Sequence, residues 1–355
     1  MLRLEYKDYT LDFKFAAGTS RGILRKHHVM FVKVFADDSD LYGVGEAAPL
    51  PNLSIDSLDL IDDYLPELSS RLKNSSVPTN QHEVFSLVNE IVPQDLPSLK
   101  MALEVALLDL IHGGRHLCFK NSFYRGKSSI PINGLIWMDE AEKMSEQIQN
   151  KLAAGYRCVK MKIGAIDFEQ ELNLIQSLRA HSDDLIIRVD ANGAFPTNEV
   201  LSKLMVLEAY NIHSIEQPIM AGQHEAMQLI CRRSKVPIAL DEELIGIHDF
   251  DKKEALLNLI RPQYIILKPT LLGGFKNTLE WMSLADQMNI GWWLTSALES
   301  NVALNAIAQF AANYPNSGFQ GLGTGQLYHN NIESPLRIEK AALLYDEGVN
   351  WQSVF

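Results

Sequence analysis

Eight short apolar runs succeed one another through the latter part of the chain: PINGLI, RCVKMK, LIIRVD, HSIEQP, PIALDE, QYIILK, GWWLTS and GFQGLG. One residue from each (Asn133, Lys162, Asp190, Glu216, Asp241, Lys268, Ser296, Gly321) gives separations of 25 to 29 residues. That is the length a parallel strand needs if the chain is to return over the sheet through a helix before the next strand begins. Eight regular units of this kind predict a closed α/β barrel of the (β/α)8 type. The other arrangement with the same element order, a doubly wound open sheet, expects a glycine-rich dinucleotide turn after its first strand, and none is present.

The intervening helices show as apolar residues at three- and four-residue spacing over 167–181, 197–210, 274–289 and 301–312. The first fifty residues read differently, as alternating strands with a turn near residues 37–40, followed by helical spacing from Ser54 and again through SLKMALEVALLDLIHGG. The chain therefore divides into an α+β domain over 1–126, a barrel over 127–325, and a tail over 326–355 expected to return to the first domain.

With 46% hydrophobic and 21% charged residues the composition is that of a folded, water-soluble protein. A formal net charge of −12, with no basic run, argues against nucleic acid as a partner. No stretch approaches 18 uninterrupted apolar residues and the N-terminus lacks a signal-peptide pattern, so membrane association is not expected and the cytoplasm is. Cys118, Cys158 and Cys231 form no CxxC pair and read as reduced thiols. The partner expected is a small molecule, with the chain a monomer or homo-oligomer.

The chemistry is carried by where charge falls on the strands. Asp190, Glu216 and Asp241 sit at the ends of three successive strands, and barrel strands end together at the rim that carries the active site. Three carboxylates in one place repel one another unless a hard cation joins them, and oxygen-only ligation favours Mg²⁺, with Mn²⁺ as the second candidate, over zinc. Asn192 is placed to support them from behind. Lys160 and Lys162, two apart on one strand, share a face, and Lys268 ends the strand after Asp241. Lysines embedded in apolar runs need partners, which the carboxylates supply, and desolvation together with a nearby cation is expected to lower a lysine toward neutrality, where its amine is a general base.

The order KxK, DxN, E, D, K on strands two to six, beneath an α+β domain, resembles the muconate-lactonizing-enzyme subgroup of the enolase superfamily over essentially the whole chain. The resemblance implies Lys162 and Lys268 as opposed catalytic lysines, Asp190, Glu216 and Asp241 as metal ligands, and Lys160 against the substrate carboxylate. It implies removal of a proton α to a carboxylate, in a family that includes muconate cycloisomerases, dipeptide epimerases, N-acylamino acid racemases and o-succinylbenzoate synthases. Dipeptide epimerases of the subgroup place an Asp-x-Asp pair at the end of strand eight, whereas GLGTG carries no acid. The acid-free Gly321–Gly325 turn, the SALESN segment and Arg188 resemble the o-succinylbenzoate synthases, Mg²⁺-dependent dehydratases of menaquinone biosynthesis. By that resemblance Ser296 and Gly321 hold the succinyl end, with Glu299, Arg188 and the loop residue Arg21 as further substrate-side candidates.

Overall fold

In this computed structural model, residues 1–19, 22–37, 39–315 and 318–355 are described. The N-terminal sheet is antiparallel in the order β1-β2-β3, formed by β1 (Leu2–Thr19), β2 (Gly22–Ala36) and β3 (Tyr42–Ala47), with an irregularity in β1 between Asp12 and Ala17. Against it lie α1 (Leu58–Lys73), α2 (Gln81–Ile91) and α3 (Pro97–Ile111). Ser57 caps α1 by accepting from the Leu60 amide, and Ile61, Leu65, Leu68 and Leu72 make the inward stripe that the sequence pattern predicts. The α3 backbone lies directly on β3: a Cβ on Gly43 or Gly45 would stand 1.8 Å from Ala106 O or 1.9 Å from Ala102 O, so only glycine fits there.

The second part runs β4 (Ile130–Pro131), β5 (Gly134–Ile136), α4 (Ala141–Ala153), β6 (Cys158–Lys162), α5 (Phe168–His181), β7 (Ile186–Asp190), α6 (Val200–Leu207), β8 (Ser214–Glu216), α7 (His224–Arg233), β9 (Ile238–Leu240), α8 (Phe250–Ile260), β10 (Tyr264–Leu267), α9 (Pro269–Leu272), α10 (Gly274–Gln287), β11 (Gly291–Leu294) and α11 (Asn301–Ala311). Seven strands, β5 to β11, pair in parallel in chain order as one curled sheet. The eighth expected strand, in GFQGLG, appears as isolated parallel bridges, Ile132 with Gln320 and Thr295 with Gly321. Of the expected helices, 197–210 is shortened: α6 is followed by a tighter turn over Glu208–Tyr210, and Asn211, in the left-handed conformation, stops it.

The tail takes two courses. Residues 327–329 run along the free edge of β1, with Tyr328 bridging Phe13, the Lys14 amide donating to Leu327 O and the His329 amide to Asp12 O. The strand-like IEKAALLYD instead forms a hairpin, β12 (Leu336–Glu339) and β13 (Ala342–Tyr345), that pairs with β4 and not with the N-terminal sheet. Its buried face, Leu343 and Tyr345, is apolar and needs a covered surface. Among the described residues no helix is long and apolar enough to cross a membrane.

Candidate active site

The sheet register brings Lys162, Asp190 and Glu216 to one level, since Lys162 pairs with Asp190 and Asp190 with Glu216, while Lys160 and Arg188 pair one layer deeper. Period-two alternation then points all of these side chains to the inside of the curl. Lys160 Nζ stands between two carboxylates, 2.8 Å from Asp190 Oδ2 and 2.6 and 2.7 Å from the two Glu216 oxygens. Lys162 Nζ donates to Asp190 Oδ2 at 2.9 Å and to Asn192 Oδ1 at 2.6 Å, and Lys268 Nζ is paired with Asp241. Asn192, held at a φ of 44°, also donates from Nδ2 to Glu242 Oε1 at 3.0 Å. It thus fixes Lys162 against Asp190 from the strand end that both share.

Burial works against charge here, and the partners decide the outcome. For Asp190 burial is outweighed by Lys160 and Lys162, which hold its carboxyl well below the usual range. Burial, and next Asp190 beside it, pushes Glu216 up to about 8. Among the protein's own groups, burial pulls Lys160 and Lys268 down, but Asp190 and Glu216 for the first, Asp241 and Glu216 for the second, more than compensate and hold both above the ordinary lysine value.

Among the described residues no three His, Cys, Asp or Glu side chains converge into a finished metal cage, because the lysines occupy the carboxylates. The donor set nevertheless fits a hard divalent cation. Three buried carboxylates from adjacent strand ends offer oxygen alone, and the place between Asp190 and Glu216 already holds a positive charge.

A cavity of about 680 Å³ opens over this cluster. Lys160, Lys162, Asn192 and Lys268 line its floor, Thr295, Ser296, Gly321 and Thr324 one wall, and Leu24, Leu50, Leu53 and Leu298 its roof toward the N-terminal domain. Lys162 and Lys268 reach that floor from strand ends separated by β7, β8 and β9 around the curl. Gly321 is glycine for a packing reason: a Cβ there would lie 2.6 Å from Thr295 Oγ1.

Three substrate-side expectations change. Arg188 does not line the cavity: it lies beneath it, its guanidinium 3.7 Å from the Trp293 ring centroid and donating to Phe319 O at 2.9 Å. Glu299 is fully buried outside the cavity, where it accepts from Ser296 Oγ at 2.6 Å and from the Ala297 amide at 2.8 Å, and so holds Ser296 in place. Ser296 and Gly321 do line the wall, yet their polar hydrogens are committed, the Ser296 amide to Gly321 O, the Gly321 amide to Leu294 O and the Ser296 hydroxyl to Glu299. Arg21 lies outside the described residues.

Sequence reasoning missed two groups that the cavity brings forward. Asn133 and Thr295 line the cavity, and their Oδ1 and Oγ1 atoms are buried without a hydrogen-bond partner. The signal for Thr295 was the alternation in GWWLTS, which puts Trp293 and Thr295 on one face of the strand. Leu298 adopts a φ of 67° and is pinned there by the capping domain and tail, its carbonyl contacting the His27 ring and accepting from the Tyr328 hydroxyl. Glu46 of β3 accepts from the amide and hydroxyl of the next cap, Ser300, at 2.8 and 2.6 Å.

The family model described as "Enolase C-terminal domain-like" matches residues 143–348. An o-succinylbenzoate synthase from Desulfotalea psychrophila is 44% identical, over 96% of this chain and 98% of its own. The crystal structure of MenC from the same organism superposes with a TM-score of 0.86 at 41% identity, covering 97% of this chain and 99% of that one. The substrate-liganded L-Ala-D/L-Glu epimerase of Bacillus subtilis shares the fold, with a TM-score of 0.83 at 18% identity over 98% and 96% of the two chains.

Proposed function

The chain belongs to the enolase C-terminal domain-like family, and from that premise we propose that it is an o-succinylbenzoate synthase, a carbon–oxygen lyase of menaquinone biosynthesis. It dehydrates 2-succinyl-6-hydroxy-2,4-cyclohexadiene-1-carboxylate to o-succinylbenzoate. The observation that carries the reading is the 44% identity to such an enzyme over nearly the whole of both chains, joined to two lysines that line one cavity beside three buried carboxylates. We read the Gln320–Gly321 bridges as the eighth stave of a complete (β/α)8-type barrel, and divide the chain at 1–126, 127–325 and 326–355.

Asp190, Glu216 and Asp241 would hold Mg²⁺, or Mn²⁺, whose charge stabilises the second negative charge that develops on the substrate carboxylate. Lys160 contacts that carboxylate from below. Lys162 Nζ, positioned by Asn192, takes the proton from the ring carbon bearing the carboxylate. The electron pair released moves toward the neighbouring carbon, the C–O bond of the β-hydroxyl breaks, and the Lys162 ammonium returns its proton so that water departs and the ring becomes aromatic. Lys268, a cation paired with Asp241, also faces the ring and stabilises the developing anion. Thr295, Ser296 and Gly321 shape the wall around the succinyl end. The protein works in the cytoplasm on a small carboxylate, as a monomer or homo-oligomer.

Mixing purified protein with the hydroxycyclohexadiene carboxylate, with Mg²⁺ or with EDTA, and following the diene ultraviolet absorbance tests this directly. Fast, chelator-sensitive loss is expected. No loss would refute the dehydratase reading and turn attention to α-proton exchange in N-acylamino acids and dipeptides.

A further inference from the structure

Directly after Glu216, the chain places a residue that the mechanism does not use. Gln217 is fully buried, and its backbone sits at a φ of 37°, a left-handed conformation that a glutamine adopts only under constraint. Its main chain ties neighbouring strand ends together: the Gln217 amide donates to Ala239 O at 2.9 Å, and its carbonyl accepts from the Gly193 amide at 2.7 Å. All four hydrogen-bonding positions of its side chain are used across the next loop. Oε1 accepts from the amides of Asp241 and Glu243 at 3.2 and 3.3 Å, and Nε2 donates to Ile219 O and to Glu243 Oε2, both at 3.0 Å. Glu243 is itself held by the Gly222 amide at 2.8 Å and stands 3.0 Å from His224 Nε2.

The three carboxylates of the site come from three separate strand ends, and nothing in a parallel ladder fixes the backbone beyond its last pair. Gln217 supplies that missing connection. It touches the loop after Asp190 through Gly193, carries Glu216 as its own neighbour, and grips the backbone of Asp241.

We propose that Gln217 is a positioning residue that sets the mutual placement of Asp190, Glu216 and Asp241, and through them the affinity of the site for a divalent cation. The inference rests on the metal-ligand reading given above. Residues that orient ligands from behind change metal affinity by about 10- to 100-fold when removed. Asp241 keeps its carboxylate and its Lys268 partner in a Gln217→Leu variant, but its backbone is no longer tied to the strand end that bears Glu216.

The test is Mn²⁺ titration of the full chain, reading free Mn²⁺ by electron paramagnetic resonance, for wild type and Gln217→Leu, alongside turnover as a function of Mg²⁺. The expected result is a Kd for Mn²⁺ raised about 10-fold or more, with kcat largely recovered at saturating Mg²⁺. An unchanged Kd in a folded Gln217→Leu protein overturns the inference while leaving the metal reading intact, and failure of wild type to bind Mn²⁺ overturns both. If Gln217→Leu does not fold, Gln217→Glu decides: it keeps the two accepting contacts but sets a carboxylate against Glu243, so a raised Kd supports the proposal and an unchanged one defeats it.

Discussion

Lys160 and Lys162 sit two residues apart on one strand, yet alanine at each position is expected to fail in opposite ways. In Lys162→Ala, Asp190 keeps Lys160 at 2.8 Å and the Asn192 amide at 3.0 Å, so no carboxylate is stranded and the stability cost stays within about 1 kcal/mol, the range of a partly exposed pair. Turnover loses both the base that takes the proton and the acid that returns it. At roughly 10²- to 10⁴-fold for each role, the rate falls by at least about 10⁴, or ~5.5 kcal/mol in the barrier. In Lys160→Ala, Glu216 loses its lysine on both oxygens and Asp190 loses one of two, all in the protein interior, for which removal of one partner costs about 3–5 kcal/mol. Thermal melts in EDTA and diene absorbance in Mg²⁺ separate the two. Lys160→Ala should melt about 3–6 °C below Lys162→Ala. A Lys162→Ala protein retaining more than about a hundredth of wild-type turnover, or melting as low as Lys160→Ala, would refute the division of roles, since base catalysis alone supplies at least that factor.

Three further outcomes follow from the same geometry. Lys268→Ala removes a fixed cation from the cavity floor and should lower kcat by about 10²- to 10³-fold with a smaller change in KM, measured by the same absorbance assay; an unaffected kcat would leave Lys268 without its electrostatic role. Glu104 of α3 accepts from the amides of Phe275 and Lys276, and burial pushes it up to about 8 from an ordinary 4.5, so between those values the folded state binds more protons than the unfolded one and stability falls as pH rises, becoming level above about 8. Urea midpoints across that window should slope less in Glu104→Gln than in wild type, and equal slopes would show that Glu104 is not the group responsible. Gly321→Ala should destabilise by about 1–3 kcal/mol through the 2.6 Å approach to Thr295 Oγ1, and Thr295→Ala in the same chain should relieve most of that loss of urea midpoint; strict additivity would exclude a steric origin.

The gathering of lysines and carboxylates was legible because its signal is local. A charged residue ending an apolar run marks a strand end, and register alone then gathers Lys162, Asp190 and Glu216 at one level. Roles that depend on contacts distant in sequence were not legible. Glu299 and Arg188 stand as substrate-side candidates by resemblance alone, but in the structure one accepts from Ser296 three residues away and the other donates to Phe319 O across the fold. The support of the cavity wall by Glu46 spans 254 residues to Ser300, a pairing no periodicity reports. Where the eighth strand is expected, the run of Gly321, Gly323 and Gly325 offers few side chains to pack, and only isolated bridges form. The pairing of the tail hairpin with β4 was not legible, since alternation reveals a buried face and not the surface that buries it.

The strip of backbone that Leu327, Tyr328 and His329 lay along β1 bears on how the chain is made. In a growing polypeptide β1 and β2 can pair long before Leu327 is made, so the stretch of the outer β1 edge around Phe13 stays bare while about 290 further residues are synthesised. At roughly 5–20 residues per second that wait is on the order of tens of seconds, during which an unpaired strand edge invites a second nascent chain. Lys7, Asp12, Lys14 and Lys26, charged residues strung along that hairpin, are suited to keeping such edges apart until residues 327–329 arrive to cover them.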